Sequence, residues 1–88
     1  MSRYTVVLSK LAQSKFDAFI HTSRKLGEQI AKAIDRIALN PELGEFLKGE
    51  WKGYYRYRSG KYRIVYRIER LRLIIYIITI DDRKDVYH

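Results

Sequence analysis

The sequence predicts an α+β fold: two N-terminal helices packed on a mostly antiparallel four-stranded sheet, in the order β-α-α-β-β-β. Three observations predict it. A β-rich opening, Tyr4 to Leu8, precedes two stretches in which apolar residues recur at helical spacing. Asn40-Pro41 ends that region, because proline lacks the amide donor and turns the residue before it away from helix. Beyond it, three strand-like segments separated by short turns read as a meander. With 88 residues, the chain fits one domain, 1–88, with a modest core.

Each element has its own warrant. Tyr4 to Leu8 is rich in β-formers, and Ser9 suits a helix N-cap. From Lys10 to His21, Leu11, Phe16, Phe19 and Ile20 fall roughly on one helical face. Thr22 to Lys25 is a polar break. Leu26 to Leu39 is more clearly amphipathic, with Leu26, Ile30, Ala33, Ile34, Ile37 and Ala38 in one stripe. Residues 42–52 read as a connection punctuated by glycines, with Leu47 and Trp51 tucked beneath it. Tyr54 to Arg58 alternates bulky and basic residues, Ser59-Gly60-Lys61 turns the chain, and Tyr62 to Ile68 returns it. A turn at Glu69 to Arg72 leads to the last strand, Leu73 to Ile80. That strand is apolar on both parities, which predicts a central position buried on both faces. Asp81 to His88 reads as a polar tail.

Composition narrows the chemistry. There are no cysteines, which excludes disulfides and thiolate metal sites and makes the cytoplasm the default location. No stretch is long and apolar enough to span a bilayer. The net charge is +8, of which residues 1–44 carry +3 (seven basic, four acidic) and residues 45–88 carry +5 (eleven basic, six acidic). Seven of the eight tyrosines lie in that second half. Cations interleaved with rings suit nucleic acid, since the cations neutralise phosphates while the rings stack on bases; a soluble protein with tyrosine-rich strands has the same composition.

Strand parity locates the cations, because side chains two apart share a face. Arg56 and Arg58 point one way; Arg63 and Arg67 point away from Tyr62, Ile64, Tyr66 and Ile68, the set expected to meet the helices. If Arg56 and Arg58 share the side of Arg63 and Arg67, four guanidiniums line one face and call for an anion, and phosphate fits the guanidinium fork; a solvated strand face is the other reading. Arg63 on this reading points off the sheet and is dispensable for folding. His21 and His88, with no cysteine, form no conventional catalytic grouping. Asp81, Asp82 and Asp85 sit among Arg83 and Lys84 and read as ion-paired carboxylates rather than a metal site.

The stretch from Lys48-Gly49-Glu50-Trp51 through Arg56-Tyr57-Arg58-Ser59-Gly60-Lys61 to Tyr62-Arg63-Ile64-Val65-Tyr66 resembles the central signature of RelE/ParE toxins. Leu47-Lys48-Gly49 matches the family's Leu-x-Gly element. Asp82-Arg83-Lys84-Asp85-Val86-Tyr87 resembles its closing motif, with Asp82 where many members have histidine. The resemblance covers nearly the whole chain. It implies two N-terminal helices on a curved antiparallel sheet and a co-encoded antitoxin as partner. For RelE-like members it implies cleavage of messenger RNA in the ribosomal A site: the 2′-hydroxyl attacks the adjacent phosphate, with no metal or small-molecule cofactor.

Carried over by position, Arg63 is the arginine that stabilises the transition state, Arg83 lies near the leaving oxygen, and Tyr87 stacks on or orients a base. Arg56, Arg58, Lys61 and Arg67 are the expected RNA-binding cations. Where RelE has lysines on the basic strand this chain has arginines, which stay protonated and cannot take up a proton. Tyr87, His88, Asp82 or another nearby carboxylate are the candidates for acid–base work. The resemblance leaves two other readings open: a ParE-like inhibitor of DNA gyrase, and a non-catalytic toxin kept for its antitoxin complex.

Overall fold

A computed structural model describes residues 3–82. Within them the order is β1 (Thr5–Leu8), α1 (Lys10–Thr22), α2 (Arg24–Leu39), β2 (Glu45–Phe46), β3 (Tyr55–Ser59), β4 (Tyr62–Glu69) and β5 (Ile74–Asp82), with single 3₁₀ turns at Pro41–Leu43 and Gly49–Trp51. The strands form one sheet in the order β1-β5-β4-β3-β2. β1 runs parallel to β5, and every other pair is antiparallel. The expected four strands are therefore five. The added β2 has two residues, too few for alternation to show, and it lies in the segment read as a plain connection.

Serines set the helix ends. Ser9 Oγ accepts the Ala12 amide at 3.0 Å and donates to the Ile78 carbonyl at 2.6 Å, so one hydroxyl starts α1 and ties it to β5. Ser23 serves two helices: its amide closes α1 on the Phe19 carbonyl, and its Oγ accepts the Leu26 amide at 3.3 Å. The polar break expected over Thr22 to Lys25 thus shrinks to one extended residue. A short elbow forces a close helix crossing, and a Cβ added to the buried Gly27 would stand 2.6 Å from Ile20 Cγ1.

The apolar stripe of α2 forms the core as its spacing predicts, with Ile30, Ala33, Ile34 and Ile37 packed on Ile64, Tyr66, Ile75, Ile77 and Ile80. β5 lies inside the sheet between β1 and β4, as expected, but the helices cover only one of its faces, and its two-parity apolar pattern has another cause. Val65 pairs with Thr79 while Tyr66 pairs with Ile77, so Ile78 is an extra residue in β5. This bulge resets the alternation. Ile75, Ile77 and Ile80 all reach the helix side, while Tyr76, Thr79 and Asp81 fall to the other. β5 also runs on through Asp82 instead of ending at Ile80, so Asp81 and Asp82 belong to the sheet. No helix among the described residues is long and apolar enough to cross a membrane.

Candidate active site

The register assembles the open face of the sheet, the one turned from the helices. Arg56 lies opposite Val65, Arg58 opposite Arg63, Arg63 opposite Asp81, and Arg67 opposite Tyr76. The four arginines thus share one face, and their surroundings differ sharply. Arg58 and Arg67 are exposed, whereas Arg63 is only 2% exposed. The chain from β2 to the second 3₁₀ turn overhangs the sheet and makes a concavity of about 330 Å³. Arg56, Arg63, Thr79 and Asp81 line it from the sheet; Leu47, Lys48 and Trp51 line it from the overhang. Leu47 and Trp51 therefore wall a cleft, and Trp51 stays 49% exposed.

Two carboxylates border the cations. Glu45 Oε1 receives Arg56 Nη2 at 2.5 Å across the β2–β3 pair, and Glu45 itself stays largely exposed. Arg56 Nε is buried with no acceptor among the described residues, a donor that an anion in the cleft would satisfy. Asp81 is held more tightly. Lys15 Nζ reaches it from α1 at 2.6 Å, and Thr79 Oγ1 donates to its other oxygen at 3.2 Å. Lys15 can reach because β1 stops opposite Ile77 and leaves the rest of that β5 edge to α1.

The segment that leads into β2 is pinned on the helix side by Tyr66. Its buried hydroxyl donates to the Pro41 carbonyl at 2.7 Å and accepts the Gly44 amide at 3.0 Å. A side chain at Gly44 would overlap that hydroxyl, so glycine is required there to bring Glu45 onto β3. Desolvation holds the phenol neutral and pushes its pKa up to about 12. Because the folded value lies above the ordinary one of about 10, this contribution is complete below pH 10. It is lost as pH rises from about 10 through 12, by ~2–3 kcal/mol in all. Urea unfolding from pH 9 to 11.5 should show a steeper alkaline loss for the parent than for Tyr66→Phe. Parallel curves would exclude Tyr66 as the titrating group.

The sequence-derived site residues fall into three groups. Arg56 and Arg63 meet in the cleft. Arg58 flanks it, and Arg67 lies about 13 Å from Arg63 along the strand, its guanidinium 4.7 Å from the Tyr76 ring. Lys61 stands at the β3–β4 turn, 5.6 Å over the Tyr62 ring on the helix side, and is not brought to the cleft. Asp82 is likewise set apart: its register partner is Tyr62, so the carboxylate on the cleft side is Asp81. Arg83, Tyr87 and His88 lie outside the described residues. Sequence reasoning passed over Glu45 and Lys15, which carry no periodic signal, and read Trp51 as core.

A two-helix layer packed on one sheet is the arrangement that the RelE/ParE resemblance implies, and the match to a toxin family model places the chain in that superfamily. The chain belongs to the family described as the ParE toxin of the type II toxin–antitoxin system parDE, whose model matches residues 6–87. Among solved structures it is similar to the RelBE2 toxin–antitoxin complex from Mycobacterium tuberculosis, with 27% identity over 93% of this chain and 100% of that one and a TM-score of 0.75. The YoeB–YefM complex from Staphylococcus aureus matches at 25% identity over 99% of both chains, TM-score 0.76. The YoeB/ParE toxin from Agrobacterium tumefaciens, at 23% identity over 89% of this chain and 96% of that one, shares the fold with a TM-score of 0.80. A search of curated protein sequences returned no match.

Proposed function

We propose that this toxin is a metal-independent endoribonuclease that cuts messenger RNA on the ribosome. The observation that carries this reading is the pairing, in one cleft, of buried Arg63 with Arg56, whose Nε lacks an acceptor among the described residues. Two fixed guanidiniums suit the charge that develops on the non-bridging phosphate oxygens during in-line attack. The 2′-oxygen bonds to phosphorus and its proton passes to a base; the bond from phosphorus to the 5′-oxygen breaks, and that oxygen takes up a proton. The products are a 2′,3′-cyclic phosphate and a 5′-hydroxyl. Glu45 is the better-placed base, since it is exposed and Arg56 engages its Oε1, whereas both oxygens of Asp81 are engaged, by Lys15 and Thr79. Arg83 and Tyr87 keep the roles that the resemblance implies, at the leaving oxygen and the base. Alignment of the strand supplies much of the remaining acceleration, which is why the ribosome enters as partner.

The complexes formed by the RelBE2 and YoeB relatives support a protein antitoxin as the other partner. A single-domain toxin acting in the cytoplasm fits this reading. One observation favours a second reading: the matching family model is that of ParE toxins, which would direct the chain to DNA gyrase.

Induction without antitoxin should yield transcripts cut at codon-phased positions before DNA synthesis stops. Intact transcripts with gyrase-dependent DNA breaks would establish the second reading. Cleavage on programmed ribosomes should also survive EDTA with ribosome integrity monitored, because the cleft's carboxylates are already engaged by cations. Recovery of lost activity with one particular divalent ion would overturn the charge-stabilised chemistry.

A further inference from the structure

We propose that the Trp51 and Leu47 wall of the cleft is a nucleobase subsite. It takes one unstacked base of an RNA strand whose adjacent phosphate lies on Arg56 and Arg63. The inference rests on the reading of the cleft as an RNA site and extends it to a specific contact.

Three features lead to it. First, the indole of Trp51, 49% exposed, shares one concavity with Leu47 and Val65, so apolar surface is gathered there around a ring that a ligand can still reach. Second, the ring is preorganised. Trp51 sits on a 3₁₀ turn that begins at Gly49, with φ of 71°, and closes through the Lys52 amide on the Gly49 carbonyl. The Tyr54 ring stands nearly perpendicular to it at 5.6 Å, and the Leu47 amide bonds to the Tyr54 carbonyl, fixing both ends of the overhang. Third, the same concavity is lined both by cations, Arg56, Arg63 and Lys48, and by apolar side chains, Leu47, Trp51 and Val65. A nucleotide matches both: a flat ring with apolar faces, one sugar away from a phosphate. The volume of about 330 Å³ is at the lower end for small-molecule sites, enough for one base and not for a folded helix. Stacking on an aromatic ring tolerates every base, so the subsite positions the strand without dictating sequence.

Trp51 is the only tryptophan in the chain, so its emission reports on this wall alone. The probe is a short RNA whose 2′-hydroxyls are replaced by hydrogen, so that it cannot be cut, set against an abasic strand of equal charge. The base-bearing strand should quench Trp51 emission and bind about tenfold more tightly than the abasic one, the order expected for one stacked base. By anisotropy of labelled strands, Trp51→Phe should keep most of that preference and Trp51→Ala should lose it. Equal binding of the two strands with unmoved emission overturns the subsite. So does emission that responds to an antitoxin peptide and not to RNA, which would assign the wall to the protein partner. A parent that quenches with RNA yet leaves hydroxyl-bearing message intact sustains the subsite and ends the nuclease reading. One that cuts message without any base preference ends the subsite alone.

Discussion

On the proposed nuclease reading, Arg63→Met should lower RNA cleavage by about 10²–10³-fold, the usual cost of losing one preorganised transition-state cation. Methionine is the informative replacement because Arg63 is buried: it fills much of the volume that alanine would leave empty. Reading Arg63 as a solvated residue on an open strand face would make Arg63→Ala harmless to the fold. Burial removes that expectation. Alanine there opens a cavity beneath the overhang and leaves Asp81, its cross-strand neighbour, with one cation fewer. Its melting temperature should therefore fall, while the methionine variant stays closer to the parent. Arg63→Lys keeps the charge and loses the planar fork, so it should recover part of the activity. The assay is message cleavage by purified variants on programmed ribosomes, with thermal unfolding in parallel. A folded Arg63→Met protein that cuts at the parental rate takes Arg63 out of the chemistry.

Glu45→Gln carries the second large effect. If Glu45 takes the 2′-hydroxyl proton, the neutral amide should slow cleavage by about 10²–10⁴-fold. Binding should move the opposite way. Glu45 holds Arg56 at 2.5 Å, so glutamine releases that guanidinium and subtracts a negative charge from the cleft mouth. KM should fall or hold while kcat collapses. A carboxylate that merely shaped β2 would give another pattern, raising KM as the overhang loosened and leaving kcat near the parent. Single-turnover cleavage across a concentration series separates these outcomes, and an unchanged kcat would move the base elsewhere.

Periodicity carried the fold a long way. The α2 stripe, the pairing of Arg56 with Arg58 and of Arg63 with Arg67 on common faces, and the interior place of β5 were legible because their patterns repeat, and the proline stop because its chemistry is local; that the two arginine pairs share one face came from the register. What stayed hidden was local or long-range. Two residues of β2 cannot display alternation, so Glu45 looked like loop. The bulge at Ile78 adds a residue that only the partner strand reveals, and with it the facing of Asp81 and Asp82. Lys15 reaches Asp81 across 66 positions of sequence, a contact that no spacing within α1 announces. Trp51 was visible as a large apolar residue, yet whether such a residue fills a core or walls a cleft depends on what lies opposite, and strand parity is silent on that.

The parallel pairing of β1 with β5 has a consequence for how the toxin is made. Thr5 pairs with Ile74, and Ser9 is tied to Ile78 across 69 positions of sequence. During synthesis the first strand therefore waits, unpaired, until β5 has emerged as well. Contacts of such high sequence separation form late. The floor of the cleft waits as well, since Thr79 and Asp81 arrive with β5. The cleft is thus among the last parts of the described fold to form, because its floor and the strand that flanks it come from opposite ends of that fold.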